Sequence, residues 1–174
     1  GVLVDRIVGA EEAAALRRRA AALPVLILDP RELADLELLA VGAASPLTGF
    51  LDSADYASVV ERLRLADGTV WPLPFTLAVP EEARERVMRG AEVALHDATG
   101  RLWGLIEVTD VFARDPLHEA RHVYGTEDPA HPGVAYLLSR PRTLAGGPVR
   151  VMYLAPRSTR TVESALVKSP KLAK

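Results

Sequence analysis

The chain contains no cysteine, no asparagine and no glutamine. Without cysteine there is no disulfide, no thiolate metal site and no thiol nucleophile, and nothing signals an oxidising compartment. Aromatic residues are scarce, at 5% against 49% hydrophobic residues overall, so the core has to be aliphatic. An excess of one charge is also missing. The 21 Lys and Arg and 23 Asp and Glu leave a formal net charge of -2. That balance supplies no general pull towards nucleic acid or an anionic membrane surface. No apolar run reaches the roughly 18 residues of a membrane helix, and no signal-peptide pattern opens the chain. The expectation is a soluble cytoplasmic protein, and 174 residues suit one domain with or without a tail.

What is present is well punctuated. Residues 11–22, "EEAAALRRRAAA", predict a helix whose acids open it and whose arginines follow, as the helix dipole favours. "PVLIL" (24–28) reads as a short strand. "DPRELADLELLAVG" predicts a second helix, with Asp29 as cap, Pro30 at the first position and Gly42 as stop. A corner follows, "GAASPLTGF" (42–50). There Pro46 and Gly49 shape a bend, Leu47, Phe50 and Leu51 anchor it, and Ser45 and Thr48 can satisfy backbone groups. "DSADYASVVERLRL" predicts a third helix with Tyr56, Val59, Val60 and Leu63 on one face.

After Asp67-Gly68 the pattern turns β-like, with Pro72 and Pro74 confining that run to an edge or bulge. "PEEARERVMRG" reads as a helical turn ended by Gly90. "EVALHD" and "RLWGLIEVTDVFA" read as two strands of a hairpin. "DPLHEARHVYG" predicts a short helix from cap Asp115 to Gly125. "TEDPAHPGV" reads as a loop, "AYLLSR" fits no one element, and "AGGPVRVMYL" reads as a turn and then a strand. Helices and strands mix without βαβ alternation, so the fold class is α+β.

Residues 118–122, "HEARH", match the pattern of two histidines on one helix face with a glutamate between them. His118 and His122 could ligate zinc, Asp128 could stand as a third ligand, and Glu119 could act as general base on a metal-bound water. The competing reading is a short surface helix with Leu117, Ala120 and Tyr124 inward and the histidines outward. Gly125 is then simply its stop.

Several segments, taken in order, resemble the N-terminal domain of the ATP sulfurylase (sulfate adenylyltransferase) family. They are "RELADLELLAVGAASPLTGFL", "DYASVVERLRLADGTVWPLPFTLAV", "GRLWGLIEVTDVF", "EARHVYGTEDPAHPGVAYL" and "LAGGPV". The resemblance implies a PUA-like fold, a mostly β pseudo-barrel with flanking helices, over residues 1–150. It marks Ser45, Pro46, Leu47, Gly49 and Phe50, and His131, Pro132 and Gly133, as structural family loops. It also absorbs Gly125, Asp128 and the pair Glu119-Ala120, leaving zinc proteolysis a remote alternative with both histidines incidental.

The family makes adenosine 5'-phosphosulfate and pyrophosphate from ATP and sulfate. The resemblance places ATP, Mg²⁺ and the catalytic residues in a second domain with a Q-x-R-N-P-x-H-x-x-H signature. With no Asn in the chain that signature is absent, and no phosphate-cradling glycine loop is present. This chain alone is therefore expected to hold no catalytic residue and no cofactor. Its expected partners are the catalytic domain and, as an option, further copies of itself. Residues 151–174 read as a divergent linker or tail. PUA-like domains elsewhere bind RNA, which is the second functional option. The charge balance and the lack of basic patches interleaved with aromatics argue against it, and Arg17–Arg19 read as a solvated helix face.

Overall fold

The computed structural model describes residues 2–152. Helix α1 (Ala10–Ala20) carries Glu11 and Glu12 in its first turn and Arg17, Arg18 and Arg19 in its last. After β1 (Val25–Ile27), α2 (Pro30–Ala40) opens on a capping box. The Asp29 carboxylate accepts the Arg31 and Glu32 N–H groups, the Glu32 carboxylate accepts that of Asp29, and Pro30 sits at the first position. The chain continues through β2 (Gly49–Phe50), α3 (Ser53–Arg62), β3 (Leu77–Ala78), a 3-10 turn (Glu81–Ala83), β4 (Glu92–His96), β5 (Leu102–Glu107) and β6 (Asp110–Ala113). It ends in α4 (Pro116–Tyr124), α5 (Pro132–Ser139) and β7 (Thr143–Val151).

One strand organises the sheet. β7 pairs antiparallel with β5 through Val149–Val151, with β2 through Gly147–Pro148, with β3 through Leu144–Ala145 and with β6 through Thr143–Gly146. β4 continues the sheet from β5, and β1 joins β4 in parallel at the edge. The curled sheet closes over an aliphatic core that includes Leu36, Leu39, Val59, Leu77, Ile106 and Val149, with α2 and α3 packed on it. This is an α+β arrangement of a curled sheet with flanking helices, in agreement with the class read from the sequence.

Close backbone crossings explain the glycines near the sheet's middle. A Cβ on Gly49 would sit 1.9 Å from the Gly147 carbonyl oxygen. One on Gly147, whose φ is +148°, would sit 2.0 Å from that of Glu107. Only glycine allows such approach. "AGGPV" is therefore not a turn before a strand, as the sequence suggests, but the interior of β7.

Four further elements differ from expectation. Leu63 is not on the buried face of α3. It ends the helix with φ 55° and is half exposed. The β-like run after Gly68 forms only an isolated Arg64–Val70 bridge and the two residues of β3, because Pro72 and Pro74 offer no N–H to a ladder. The second hairpin strand breaks at Val108–Thr109 into β5 and β6, which bond different stretches of β7. "AYLLSR" lies largely in α5, whose cap is His131 and whose first residue is Pro132. Val151 and Met152 are buried with the barrel, so the boundary expected at residue 150 falls inside the core region. The rest of the expected tail lies outside the described residues.

Candidate functional site

The corner at residues 42–50 is built from backbone bonds and apolar anchors. The Ser45 hydroxyl donates to the Gly42 carbonyl at 2.6 Å and accepts the Val4 N–H at 2.8 Å, tying the N-terminal segment to the corner. The Ser45-Pro46 peptide is cis. Leu47, Phe50 and Leu51 are buried, and the Thr48 carbonyl accepts the Val149 N–H. Gly49 and Phe50 form β2 against β7. Thr48 is exposed and reaches β7 through its carbonyl, not through the hydroxyl expected to satisfy a backbone group.

The second set of expected loop residues opens α5 instead: His131 caps it and Pro132 and Gly133 are its first two residues, while residues 125–131 join it to α4. Gly125, φ +70°, ends α4. The Thr126 hydroxyl accepts the Asp128 N–H, the Asp128 carboxylate accepts that of Ala130, and the His131 ring accepts that of Gly133 through Nδ1. The Tyr124 ring packs on His131, with centroids 5.1 Å apart, and lies so close to Gly133 that a Cβ there would be 2.6 Å from it.

α4 separates the residues of the remote zinc alternative. His118 and His122 lie side by side on the outer face, with ring centroids 4.2 Å apart. Glu119 points inward and is buried. Its carboxylate accepts the Tyr56 hydroxyl at 2.8 Å and an Arg114 N–H at 3.3 Å, while Arg114 also donates to the Leu137 carbonyl. Burial, with the Glu119 charge second, pushes the Tyr56 phenol up. Glu119 is thus committed to a buried ion pair and cannot act as base at the outer face, which removes the role that the zinc alternative gave it. Asp128 is committed to its own loop. Among the described residues no three His, Asp or Glu side chains are placed to hold one metal ion.

Sequence reasoning missed the polar network between α2 and α5. Arg140 donates to Glu32 at 2.7 Å and lies 3.2 Å from Asp29. The Tyr136 hydroxyl donates to Asp29 at 2.6 Å, and Arg31 donates to the Tyr124 hydroxyl at 3.1 Å while lying over the Tyr136 ring. Burial would raise the Asp29 carboxyl, but the bonds from Tyr136 and the cap, with the Arg140 charge, bring it below its ordinary value. Glu32 is driven up by burial, against its bonds from the Ala78 and Asp29 N–H groups and the pull of Arg140. Asp35, one turn further along α2, is raised to about 7, chiefly by burial and also by Glu32 and Asp29, with Arg31 opposing. The sequence held one signal: Asp29-Pro30-x-Glu32 is a capping box, whose glutamate faces inward.

An open groove of about 670 Å³ lies beside the 3-10 turn. Glu81, Glu82 and Glu85 outnumber Arg84 and Arg89 on its wall, and Arg84 already pairs with Glu81. A triphosphate or sulfate would meet net negative charge there. Of the arginine run on α1, Arg19 forms an ion pair with Glu92. No helix among the described residues is long and apolar enough to cross a membrane.

The sequence profile of the PUA-like domain family matches residues 1–154. The chain belongs to the PUA-like domain family. Among curated proteins, this PUA-like domain is 44% identical over 156 residues to a sulfate adenylyltransferase of Synechococcus sp. (strain JA-3-3Ab), covering 90% of the domain chain and 40% of that protein. It is 48% identical over 149 residues to the sulfate adenylyltransferase of Symbiobacterium thermophilum, covering 86% and 38%. A probable bifunctional SAT/APS kinase of Sorangium cellulosum is 44% identical over 152 residues, covering 87% and 26%. The chain thus spans about two-fifths or less of these relatives. Among solved structures, the hexameric APS kinase from Thiobacillus denitrificans superposes with a TM-score of 0.69 at 30% identity, over 93% of this chain and 28% of that one.

Proposed function

We propose that this PUA-like domain is the N-terminal part of an ATP sulfurylase of the cytoplasm. In that setting it is a scaffold for a catalytic domain that joins ATP and sulfate into adenosine 5'-phosphosulfate and pyrophosphate. One observation carries the reading: two sulfate adenylyltransferases align with 86–90% of this chain at 44–48% identity, yet the chain accounts for only 38–40% of each.

The chemistry of the domain agrees with a supporting role. Attack of a sulfate oxygen on the α-phosphorus builds negative charge that needs fixed cationic donors. Here Arg114, Arg140 and Arg31 are engaged with Glu119, Glu32 and the tyrosines. On this reading no step of the reaction falls to residues of this domain, and the partner domain holds ATP with Mg²⁺.

A pyrophosphate-release assay tests this in two arms. The isolated chain with ATP, Mg²⁺ and sulfate should read background, and ATP- and sulfate-dependent turnover would place catalysis inside it. Exchanged for the matching segment of the Symbiobacterium thermophilum enzyme, the domain should support turnover. A folded but inactive exchange enzyme would refute the scaffold reading.

A further inference from the structure

The histidine pair on α4 has no part in the scaffold role. His118 and His122 stand four residues apart on a nine-residue helix, their rings 4.2 Å between centroids. His118 is half-buried and His122 exposed. The His122 Nδ1 lies 2.8 Å from the His118 backbone carbonyl oxygen. A carbonyl can only accept, so Nδ1 must carry the hydrogen and donate it. In neutral His122 this leaves the Nε2 lone pair bare and turned away from the backbone. A second ring nitrogen held by a backbone carbonyl is the support that metal-binding histidines use to fix tautomer and orientation. The neighbouring charges are mixed. Asp115 lies close to both His118 and Arg142, and Arg121 on the adjoining face is paired with Glu127.

We propose that His118 and His122 form a two-imidazole clip for a divalent transition-metal ion, Cu²⁺ foremost, on the outer face of α4. Imidazole pairs suit Cu²⁺, Ni²⁺ and Zn²⁺, and divalent affinities peak at Cu²⁺. Two protein nitrogens leave the other coordination positions to water or to a donor from another molecule. The clip differs from a hydrolytic zinc centre, since Glu119 is turned into the core and supplies neither a ligand nor a base. It carries no assignment of catalysis, and it stands whether or not the domain serves an ATP sulfurylase.

The test is a calorimetric titration of the untagged chain with CuCl₂ in a non-coordinating buffer, with electron paramagnetic resonance of the 1:1 sample. We expect one ion per chain and a hyperfine pattern from two imidazole nitrogens. Chelation gives the second nitrogen a high effective concentration, so His118→Ala or His122→Ala should weaken binding about 100-fold. His96→Ala and His131→Ala should leave it unchanged. Thermal melts of the metal-free variants check that the fold persists. Undiminished affinity in both α4 variants, or a one-nitrogen spectrum, would overturn the proposal and assign the binding to other groups such as the N-terminal amine.

Discussion

The barrel and the α4–α5 layer hold together by different means. The barrel joins strands from the whole chain through β7, and its main core is apolar and continuous. Its tightest points are backbone against backbone, where Gly49, Gly146 and Gly147 admit carbonyls that any side chain would block. The α4–α5 layer has a small apolar cluster of its own, Ala120, Val134 and Leu137. It is attached by polar links: Glu119 to Tyr56 and Arg114, Arg114 to Leu137, Arg140 to Glu32 and Asp29, and Arg31 to Tyr124. Apolar contact tolerates small shifts, whereas a buried ion pair fails when one partner goes. The barrel should therefore answer to volume and the layer to charge.

The largest effect should come from the barrel. Gly49→Ala places a methyl 1.9 Å from a carbonyl oxygen that cannot move without breaking β7, and should cost about 4 kcal/mol or more in urea unfolding. Gly68→Ala, at φ +91° with open space around it, should cost about 1 kcal/mol and serves as the control. Equal losses at the two sites would show that the crossing is not tight.

Next comes the layer. Glu119→Ala leaves Arg114 buried without its counter-charge and should cost about 3 kcal/mol. Amide hydrogen exchange should then localise the loss of protection to α4 and α5. Uniform loss over the barrel strands would erase the contrast between the two regions.

The smallest effect tests the charge argument by pH. Asp35 has a folded value of about 7 against an ordinary 3.8, so between those values the folded state holds a proton that the unfolded state has released. Its contribution to stability is fully present below about pH 4 and falls as pH rises towards 7. Asp35→Asn should remove that fall, raising stability at pH 8 by about 1 kcal/mol once solvent screening is allowed for, and changing little at pH 4. Melting curves at the two pH values decide it. Equal shifts at both would mean that burial of the charge is not the cause.

Local punctuation made much of the helical layer readable from residues alone. Asp29-Pro30 and Asp115-Pro116 each place a capping carboxylate before a helix-starting proline, and both helices start there. His131-Pro132 follows the same logic with an imidazole as cap, a weaker signal, so the start of α5 reads as loop and the remainder as no one element. The barrel was less legible because its partners are distant in sequence. Nothing near Gly146-Gly147 distinguishes a turn from a crossing. The deciding atoms belong to Leu51 and Glu107. The corner was recognisable as a corner, with its anchors, but its bond to Val4 was not. In the α4 motif the pairing of the histidines followed from helical spacing. The diversion of Glu119 did not, because Tyr56 lies 63 positions away and Arg114 precedes the helix.

The dominance of β7 also has a consequence for synthesis. Strands β2, β3, β5 and β6 all find a partner in residues 143–151, which follow them in the chain. A nascent chain that has not yet released this stretch from the ribosome carries strands with open edges and glycine-lined gaps. Such long-range pairing closes slowly and leaves apolar edges available to other chains. The domain is thus a late closer, exposed to aggregation until its keystone strand emerges.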